Sequence, residues 1–262
     1  MIRIKDLQKS YGEKPVLSHF SHDLPDNGIV CLTGASGRGK TTLLRILAGL
    51  ETADGGSVTG LSGRKIAFVF QEDRLLPWIT AQQNIRLAQP AGAKRPVGEL
   101  LALAGLDSAD GQKYPGQLSG GQRRRVAFLR GIAFLEGVKN GVLLLDEPFN
   151  GLDAEAAGKL CGMLRSLAPQ TLVLLVSHQL APLQALDVSF FFHGSVVLKG
   201  EGGQPLRLFA GTIFDRKTFF FLKTRPIYEI AMNLTFFLLK SVEKFDIMIS
   251  VENLVFVNKN SK

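Results

Sequence analysis

The stretch Gly34-Ala35-Ser36-Gly37-Arg38-Gly39-Lys40-Thr41 decides the fold of this chain. It follows a short apolar run, 29–33, that is typical of a strand buried on both faces, and it precedes a segment, 42–48, with helical propensity. A strand, a glycine-rich loop and a helix in this order form a phosphate loop, whose backbone N–H groups point at phosphate oxygens. The stretch therefore predicts a nucleotide-binding α/β core.

The side chains of this loop have separate predicted roles. Lys40 reaches the β- and γ-phosphates, and the hydroxyl of Thr41 ligates Mg²⁺. The glycines permit a positive φ and a close approach of the backbone to the nucleotide. The residues expected to contact the nucleotide here are Gly34, Ala35, Ser36, Gly37, Arg38, Gly39, Lys40, Thr41 and Thr42.

Two acids follow a second apolar strand. Asp146 ends the run 142–145, where a carboxylate can hold Mg²⁺ through water, and Glu147 is aimed differently and can deprotonate an attacking water. Alone, such a pair is equally typical of solvated acids at a strand end. Its position downstream of a phosphate loop favours the catalytic interpretation.

Gln71 and His178 each follow a further predicted strand, 66–70 and 171–176. The Gln71 amide can sense Mg²⁺ or the attacking water, and a neutral His178 imidazole can hydrogen-bond the γ-phosphate. Taken singly, each is more often an ordinary loop residue. Strands that alternate with helices, such as the one predicted over 154–167, indicate a parallel sheet covered on both faces.

A second anion site without a lysine is predicted at Leu118-Ser119-Gly120-Gly121-Gln122. The Ser119 hydroxyl and the N–H groups of Gly120 and Gly121 begin a helix and can bind a phosphate that something else brings there. The alternative is a plain helix cap with a glycine pair.

Residues 1 to about 30 alternate apolar and polar residues between turn signals, which predicts short antiparallel strands. Tyr11, one of three tyrosines, can stack its ring on adenine, and Val16 can line the same face. A half-buried strand aromatic is the alternative for Tyr11. A hairpin is predicted over 190–198 with a His193-Gly194 turn.

The composition is that of a globular protein, with 262 residues, 45% hydrophobic, 21% charged and a net charge of +8. The basic residues are scattered, so we expect no nucleic-acid partner. Cys31 and Cys161 form no metal or disulfide pattern, which favours a reducing compartment. We find no leader pattern and no run near the roughly 20 apolar residues of a membrane helix, so we expect a soluble chain that reaches a membrane through a partner.

The composition shifts near the end of the chain, because all 28 glycines lie at or before Gly211. We therefore predict a nucleotide-binding domain over 1–211, with a helical subdomain at about 72–135, and a tail over 212–262. Three interpretations of the tail stay open: a helical appendage packed on the body, a segment of foreign or out-of-frame origin, and a docking or regulatory tail.

Taken in order, these motifs resemble the nucleotide-binding subunit of an ATP-binding cassette (ABC) transporter. The resemblance covers about residues 1–200 and adds a D-loop at Asn150-Gly151-Leu152-Asp153. It implies a P-loop NTPase with a RecA-like core, an N-terminal antiparallel β-subdomain and an inserted α-helical signature subdomain. The Asn-Gly in the D-loop and Gln179 after the switch histidine depart from the commoner pattern.

The resemblance also implies a mechanism. Two subunits form a homodimer, and each ATP, with Mg²⁺, lies between Walker A of one copy and the signature of the other. The implied catalytic residues are Glu147, His178 and Gln71, and the implied metal ligands are Thr41, Gln71 and Asp146. The implied nucleotide-binding residues, besides the phosphate loop, are Tyr11, Val16, Ser119, Gly120, Gly121, Gln122 and Asp153.

The implied setting is peripheral, on the cytoplasmic face of the cell membrane, with integral permease subunits as partners and a solute-binding protein as an indirect one. Leu75 to Trp78 resembles importers for nitrate, sulfonates, taurine and pyrimidine precursors. The alternatives are an exporter ATPase subunit and a soluble ABC ATPase outside transport. A small-molecule kinase leaves the signature unexplained, and an inactive scaffold does not need the intact Lys40, Asp146 and Glu147.

Overall fold

The computed structural model describes residues 1–33 and 37–179, Pro182 and Leu186, and the backbone of four strands between 188 and 222. The chain divides into two compact units, Met1–Val188 and Ser189–Lys262. In the part of the chain that is described, no helix has both the length and the apolar character that crossing a membrane requires.

The first unit begins with an antiparallel sheet, as the alternation of its residues predicts. Its strands are β1 (Ile2–Tyr11), β2 (Lys14–Leu24) and β4 (Gly55–Thr59), in the order β2-β1-β4. Tyr11 pairs with Lys14 across a tight turn, which leaves the Tyr11 ring at the end of the sheet.

A parallel sheet forms the core of the same unit. Its strands are β3 (Gly28–Thr33), β7 (Thr171–Val176), β6 (Gly141–Asp146) and β5 (Ile66–Val69), in the order β3-β7-β6-β5. All residues of β6 and β7 are buried, as expected for strands covered on both faces. The carboxyl ends of these strands therefore meet at one edge, where ligands bind in open α/β sheets.

Three helices pack against this sheet: α1 (Lys40–Leu47), α5 (Gly120–Phe134) and α6 (Ala154–Leu167). Cys31 in β3 and Cys161 in α6 are both free and buried. Helix α5 approaches the sheet closely, since a Cβ added at Gly131 would lie 2.7 Å from Cγ2 of Val69.

A helical segment is inserted between β5 and β6. It holds α2 (Ala81–Arg86), α3 (Val97–Leu103), α4 (Ser108–Gln112), a 3-10 turn (Pro115–Gln117) and α5. Thr80 caps α2 in a reciprocal pair with Gln83, and Pro96 precedes the first residue of α3. The predicted class, an α/β core with an antiparallel β-subdomain and a helical insertion, is confirmed.

Four further strands, which belong to the second unit from Ser189 onward, pair antiparallel along the chain: β8 (Val188–Phe192), β9 (Val196–Lys199), β10 (Leu206–Ala210) and β11 (Phe221–Leu222). The pairing of β8 with β9 is the predicted hairpin, whose His193-Gly194 turn lies outside the described residues. The predicted tail, 212–262, also lies outside them apart from β11. Its boundary and its role stay predictions.

Candidate active site

The phosphate loop leads into α1 through two glycines in the left-handed region. Gly37 has a φ of 76° and Gly39 a φ of 81°. A Cβ on Gly39 would lie 2.7 Å from the carbonyl oxygen of Val16 and 2.8 Å from its Cγ1, so only glycine fits there. Val16, which was predicted to line the nucleotide, is thus packed on the loop itself. Gly34, Ala35 and Ser36 lie outside the described residues.

Lys40 begins α1 and is only 6% exposed. Burial lowers the pKa of the Lys40 ammonium, while the nearby carboxylates of Glu147 and Asp146 act in the opposite direction. A cation at the end of the phosphate loop thus lies near Asp146 and Glu147 at the end of β6, which suits an anion that carries several charges.

Asp146 and Thr41 present two oxygens side by side. The Thr41 hydroxyl donates to Oδ1 of Asp146 at 3.1 Å, which joins the start of α1 to the end of β6. Burial raises the pKa of the Asp146 carboxyl, against the Thr41 hydrogen bond and the charges of Arg45 and Lys40. A hydroxyl and a carboxylate in this arrangement match the oxygen ligands that Mg²⁺ prefers.

Glu147 has a strained backbone conformation, and its side chain contacts a different partner from that of Asp146. Its φ is 51°, a value rare outside glycine, and its N–H donates to the carbonyl of Val176 at 2.9 Å. Its carboxylate reaches His178, whose backbone N–H donates to Oε2 at 3.3 Å and whose Nε2 lies 3.3 Å from Oε1. The two adjacent acids thus face different partners.

Burial also dominates the electrostatics of Glu147. It raises the pKa of this carboxyl, while the hydrogen bond from the His178 amide acts against the rise. The His178 ring is about half exposed and the Glu147 side chain only 9% exposed. A buried carboxylate with a raised pKa, beside an imidazole at a strand end, can accept a proton from water.

Tyr11 is anchored by its phenol and leaves its ring half exposed. The hydroxyl donates to the carboxylate of Glu51 and lies 3.5 Å from Oγ1 of Thr42. Lys9, which pairs with Asp54 at 2.9 Å, places its Nζ 5.7 Å from the centre of the Tyr11 ring. The sequence did not indicate Glu51, whose contact with a distant tyrosine exists only in the fold.

Ser119 caps α5 in a reciprocal pair with Gln122, as the plain-cap alternative for this stretch also requires. Oε1 of Gln122 accepts from the Ser119 N–H at 2.9 Å, and its Nε2 donates to Oδ1 of Asp110 at 2.9 Å. Asp110 in turn pairs with Lys113 at 2.7 Å. The Gln122 amide is therefore engaged within the helical segment, and Ser119 and Gly120 are the exposed residues of the stretch.

The acid predicted in the D-loop also has a local partner. Oδ1 of Asp153 accepts from the backbone N–H of Ala156 at 2.7 Å, so Asp153 is the N-cap of α6. Near it, a Cβ on Gly121 would lie 3.4 Å from the carbonyl oxygen of Gly151, which places the signature glycine close to the D-loop of the same chain.

The sequence profile of the ABC transporter family matches residues 17–150, a stretch that begins in β2 and includes the phosphate loop, the helical segment and the acids Asp146 and Glu147. The chain belongs to the ABC transporter family. The matched residues include the predicted Walker A motif, 34–41, the predicted signature, Leu118–Gln122, and Asp146 at the end of the predicted Walker B strand.

Curated relatives of this ABC protein include import ATP-binding proteins. An aliphatic sulfonates import ATP-binding protein of Pseudomonas savastanoi pv. phaseolicola is 43% identical over 204 residues, covering 77% of this chain and 81% of the relative. A sulfate/thiosulfate import ATP-binding protein of Burkholderia mallei is 42% identical over 185 residues, covering 63% of this chain. The chain spans about half the length of the sulfate/thiosulfate relatives, 51% in that case.

Solved ABC cassettes share the fold. A dimeric cassette in a post-hydrolysis state bound to ADP and Pi matches with a TM-score of 0.65 and 26% identity, over 77% of this chain and 100% of that one. A structure of an ATP-binding subunit of an ABC transporter matches with a TM-score of 0.63 and 25% identity, over 73% and 85%. The predicted P-loop NTPase fold is confirmed by these cassettes.

Gln71, the predicted Q-loop residue of this ABC protein, is held by a residue that the sequence did not single out. The side chain of Gln71 is exposed, but its carbonyl accepts from Nη2 of Arg124 in the signature helix. Nη1 of Arg124 donates to the carbonyl of Phe70 at 2.9 Å. The only sequence signal was a run of three arginines, Arg123 to Arg125, which does not tell which side chain points inward.

Proposed function

We propose that this chain binds and hydrolyses ATP and that the hydrolysis powers an ABC membrane transporter, an importer of a small anion or organic solute. The observation that carries the proposal is one cluster at the carboxyl edge of the parallel sheet. There the buried Lys40, the Thr41–Asp146 pair and the Glu147–His178 pair come from α1, β6 and the end of β7.

Thr41 and Asp146 would hold Mg²⁺. Their oxygens lie 3.1 Å apart and include a carboxylate whose pKa is raised by burial, so that a bound cation would compensate the cost of its charge. When bound, the ion would neutralise charge on the β- and γ-phosphates.

Lys40 and Glu147 would share the work on the γ-phosphate. Lys40, already desolvated, would contact the β- and γ-phosphates as a point charge. Glu147 would accept a proton from the attacking water, and His178 and Gln71 would orient the reacting groups. Tyr11, anchored by Glu51, would present its ring to adenine.

A second copy of the chain would complete each site. Ser119 and Gly120 begin α5 and are exposed, whereas the hydrogen bonds of Ser119 and Gln122 stay within the helical segment. A phosphate on a facing copy would therefore bind at this helix start, where the N–H groups of the first turn and the helix dipole favour anions. We accordingly propose a homodimer with two shared nucleotide sites, in which Gln122 and Asp153 act mainly by shaping the contact.

The permease partner would dock on the helical segment. Among the described residues, five of the large apolar side chains that are exposed lie there: Trp78, Leu87, Leu103, Tyr114 and Phe134. Exposed apolar groups collected on one part of a surface mark interaction sites. The import names of the relatives favour an oxyanion or sulfonate cargo, delivered by a solute-binding protein, with this subunit on the cytoplasmic face of the membrane.

Light scattering with a non-hydrolysable ATP analogue tests the shared site. We expect the analogue to convert monomers to dimers, and turnover per subunit to rise with protein concentration. Monomers under saturating analogue, together with turnover that is independent of concentration, would refute the shared site.

Transport of a sulfonate in vesicles that contain this subunit and a sulfonate-type permease tests the importer function. Outward transport would favour an exporter. If the subunit associates with no permease, the result would favour a soluble ABC ATPase.

A further inference from the structure

Arg124 joins the signature helix to the end of β5 with a buried charge. Its side chain is only 9% exposed, and its guanidinium donates to two successive carbonyls, those of Phe70 and Gln71. The Nε of the same guanidinium is buried without a hydrogen-bond partner among the described residues. A buried charge that is only partly satisfied is costly, so its retention at this position needs a reason beyond packing.

The chain just after Gln71 is held by the same helix. Oδ1 of Asp73 lies 3.5 Å from Nη1 of Arg124, and Oδ2 lies 3.5 Å from Nε of Arg123. One turn and a half further along α5, Arg130 donates to the carbonyl of Arg74 at 2.9 Å. The segment 70–74 is thus attached to α5 by charge-assisted hydrogen bonds at successive points.

The same helix carries the residues that would meet the nucleotide of the facing copy. Ser119 caps α5 five residues before Arg124, a separation of about 7.5 Å along the axis at the usual rise per residue. Because α5 is one uninterrupted helix from Gly120 to Phe134, a displacement of its start is transmitted to the guanidinium of Arg124.

We propose that Arg124 is a positioning residue for Gln71. A nucleotide of the facing copy bound at Ser119 would, through Arg124, fix the position of Gln71 and of the segment that leads to Trp78. The inference rests on the proposed function, because it requires a phosphate of the facing copy at Ser119. Arginine suits the task, since its planar fork serves two carbonyls at once and lysine does not.

Trp78 provides the measurement. It is the only tryptophan of the chain and is 70% exposed, so its fluorescence reports on this segment without a label. The test variants are Arg124→Gln and Arg124→Lys. Arg125→Gln is the matched control, because Arg125 is the next residue on α5 and donates to the carbonyls of Ala104 and Gly105 at 3.0 and 2.8 Å, within the helical segment.

In the natural protein and in Arg125→Gln, we expect the non-hydrolysable analogue to form dimers and to shift the Trp78 emission. In Arg124→Gln, the dimers should form but the shift should be lost, with kcat reduced about tenfold and KM for ATP unchanged, as a misplaced positioning contact predicts. Arg124→Lys, which keeps the charge, should restore only part of the shift. If Arg124→Gln does not fold, Asp73→Asn is the substitute variant. It removes the counter-charge of Arg124 and should also weaken the Trp78 shift.

A full Trp78 shift in Arg124→Gln dimers, or an unchanged Trp78 spectrum in closed dimers of the natural protein, would overturn the inference and leave the proposed function intact. Failure of the natural protein to form dimers with the analogue would instead refute the shared nucleotide site on which the inference rests.

Discussion

His178 and Glu147 contact each other at two points, through the backbone N–H of His178 to Oε2 at 3.3 Å and through its ring Nε2, which lies 3.3 Å from Oε1. The contact follows from the pairing of β6 with β7, because the N–H of Glu147 also bonds the carbonyl of Val176, two residues before His178. The proposed base and its imidazole partner are therefore aligned by the sheet and not by a mobile loop.

Replacing Glu147 with Gln should remove the proposed base and leave the hydrogen bond from the His178 amide possible. We expect phosphate release to slow by about 100- to 10,000-fold, the usual contribution of a general base, and ATP-bound dimers to persist. Steady-state phosphate release and size-exclusion chromatography with ATP measure these effects. Glu155→Gln, on the exposed face of α6, is the control. Turnover at the natural rate in Glu147→Gln would contradict the role.

The same substitution should stabilise the fold near neutral pH. Burial raises the pKa of Glu147 above its ordinary value of 4.5, so the folded state holds the proton more tightly than the unfolded state does. Ionisation of Glu147 therefore costs stability as the pH rises through the folded-state pKa, and Gln avoids this cost. Urea unfolding should show Glu147→Gln to be the more stable near pH 7, with the difference shrinking as the pH falls toward 4.5; a difference that does not change with pH would argue against the raised pKa.

Alanine at two glycines of the phosphate loop should separate backbone strain from crowding. Gly37→Ala meets only the strain of a positive φ, because no described atom lies within 4 Å of the added Cβ, and should cost about 1 kcal/mol. Gly39→Ala adds a contact of 2.7 Å with the carbonyl oxygen of Val16 and should cost about 3 kcal/mol. Urea unfolding of both variants measures the difference in the free energy of unfolding. Equal costs would show that β2 moves to make room for the added methyl group.

Lys40→Ala should weaken ATP binding by about 100-fold, on the scale of a buried charge that loses its partner. The Lys40 ammonium is already desolvated beside two acids, so it attracts a bound phosphate without first having to lose its own hydration. Titration calorimetry with ATP measures the affinity, and Lys159→Ala, at an exposed pair with Glu155, serves as the control. Retained affinity and turnover in Lys40→Ala would refute the role of this lysine.

Ending the chain after Gly211 should leave ATP affinity unchanged, because the tail is predicted to lie outside the nucleotide-binding domain. Thermal unfolding and ATP titration of the shortened chain test this boundary. A shortened chain that fails to fold would assign residues 212–262 to the core.

Local signals in the sequence predicted the elements well where they were strong. The helix over 154–167 and the strand over 171–176 have the predicted bounds, because both are long apolar patterns with clear ends. The order β3-β7-β6-β5 was not predicted, since the pairing of strands distant in sequence leaves no local mark. The strained φ of Glu147 was equally invisible, because no residue type announces it.

The sequence also predicted only part of the candidate site. Motif spacing identified the residues that come together around Lys40 and Asp146, but it did not find Glu51 or Arg124, which act through contacts made only in the folded chain. It also assigned Gln122 and Asp153 to the nucleotide, whereas both side chains have partners within the chain. Whether they also meet the nucleotide in a dimer stays a prediction.

The two buried cysteines make this protein convenient for distance measurements. Cys31 and Cys161 are 0% and 1% exposed. Burial raises the pKa of both thiols, that of Cys161 to about 11, so neither supplies the accessible thiolate that maleimide reagents attack. A dye or spin label will therefore attach to a single engineered surface cysteine in the otherwise natural sequence, and opening and closing of paired copies can be followed without first removing either native thiol.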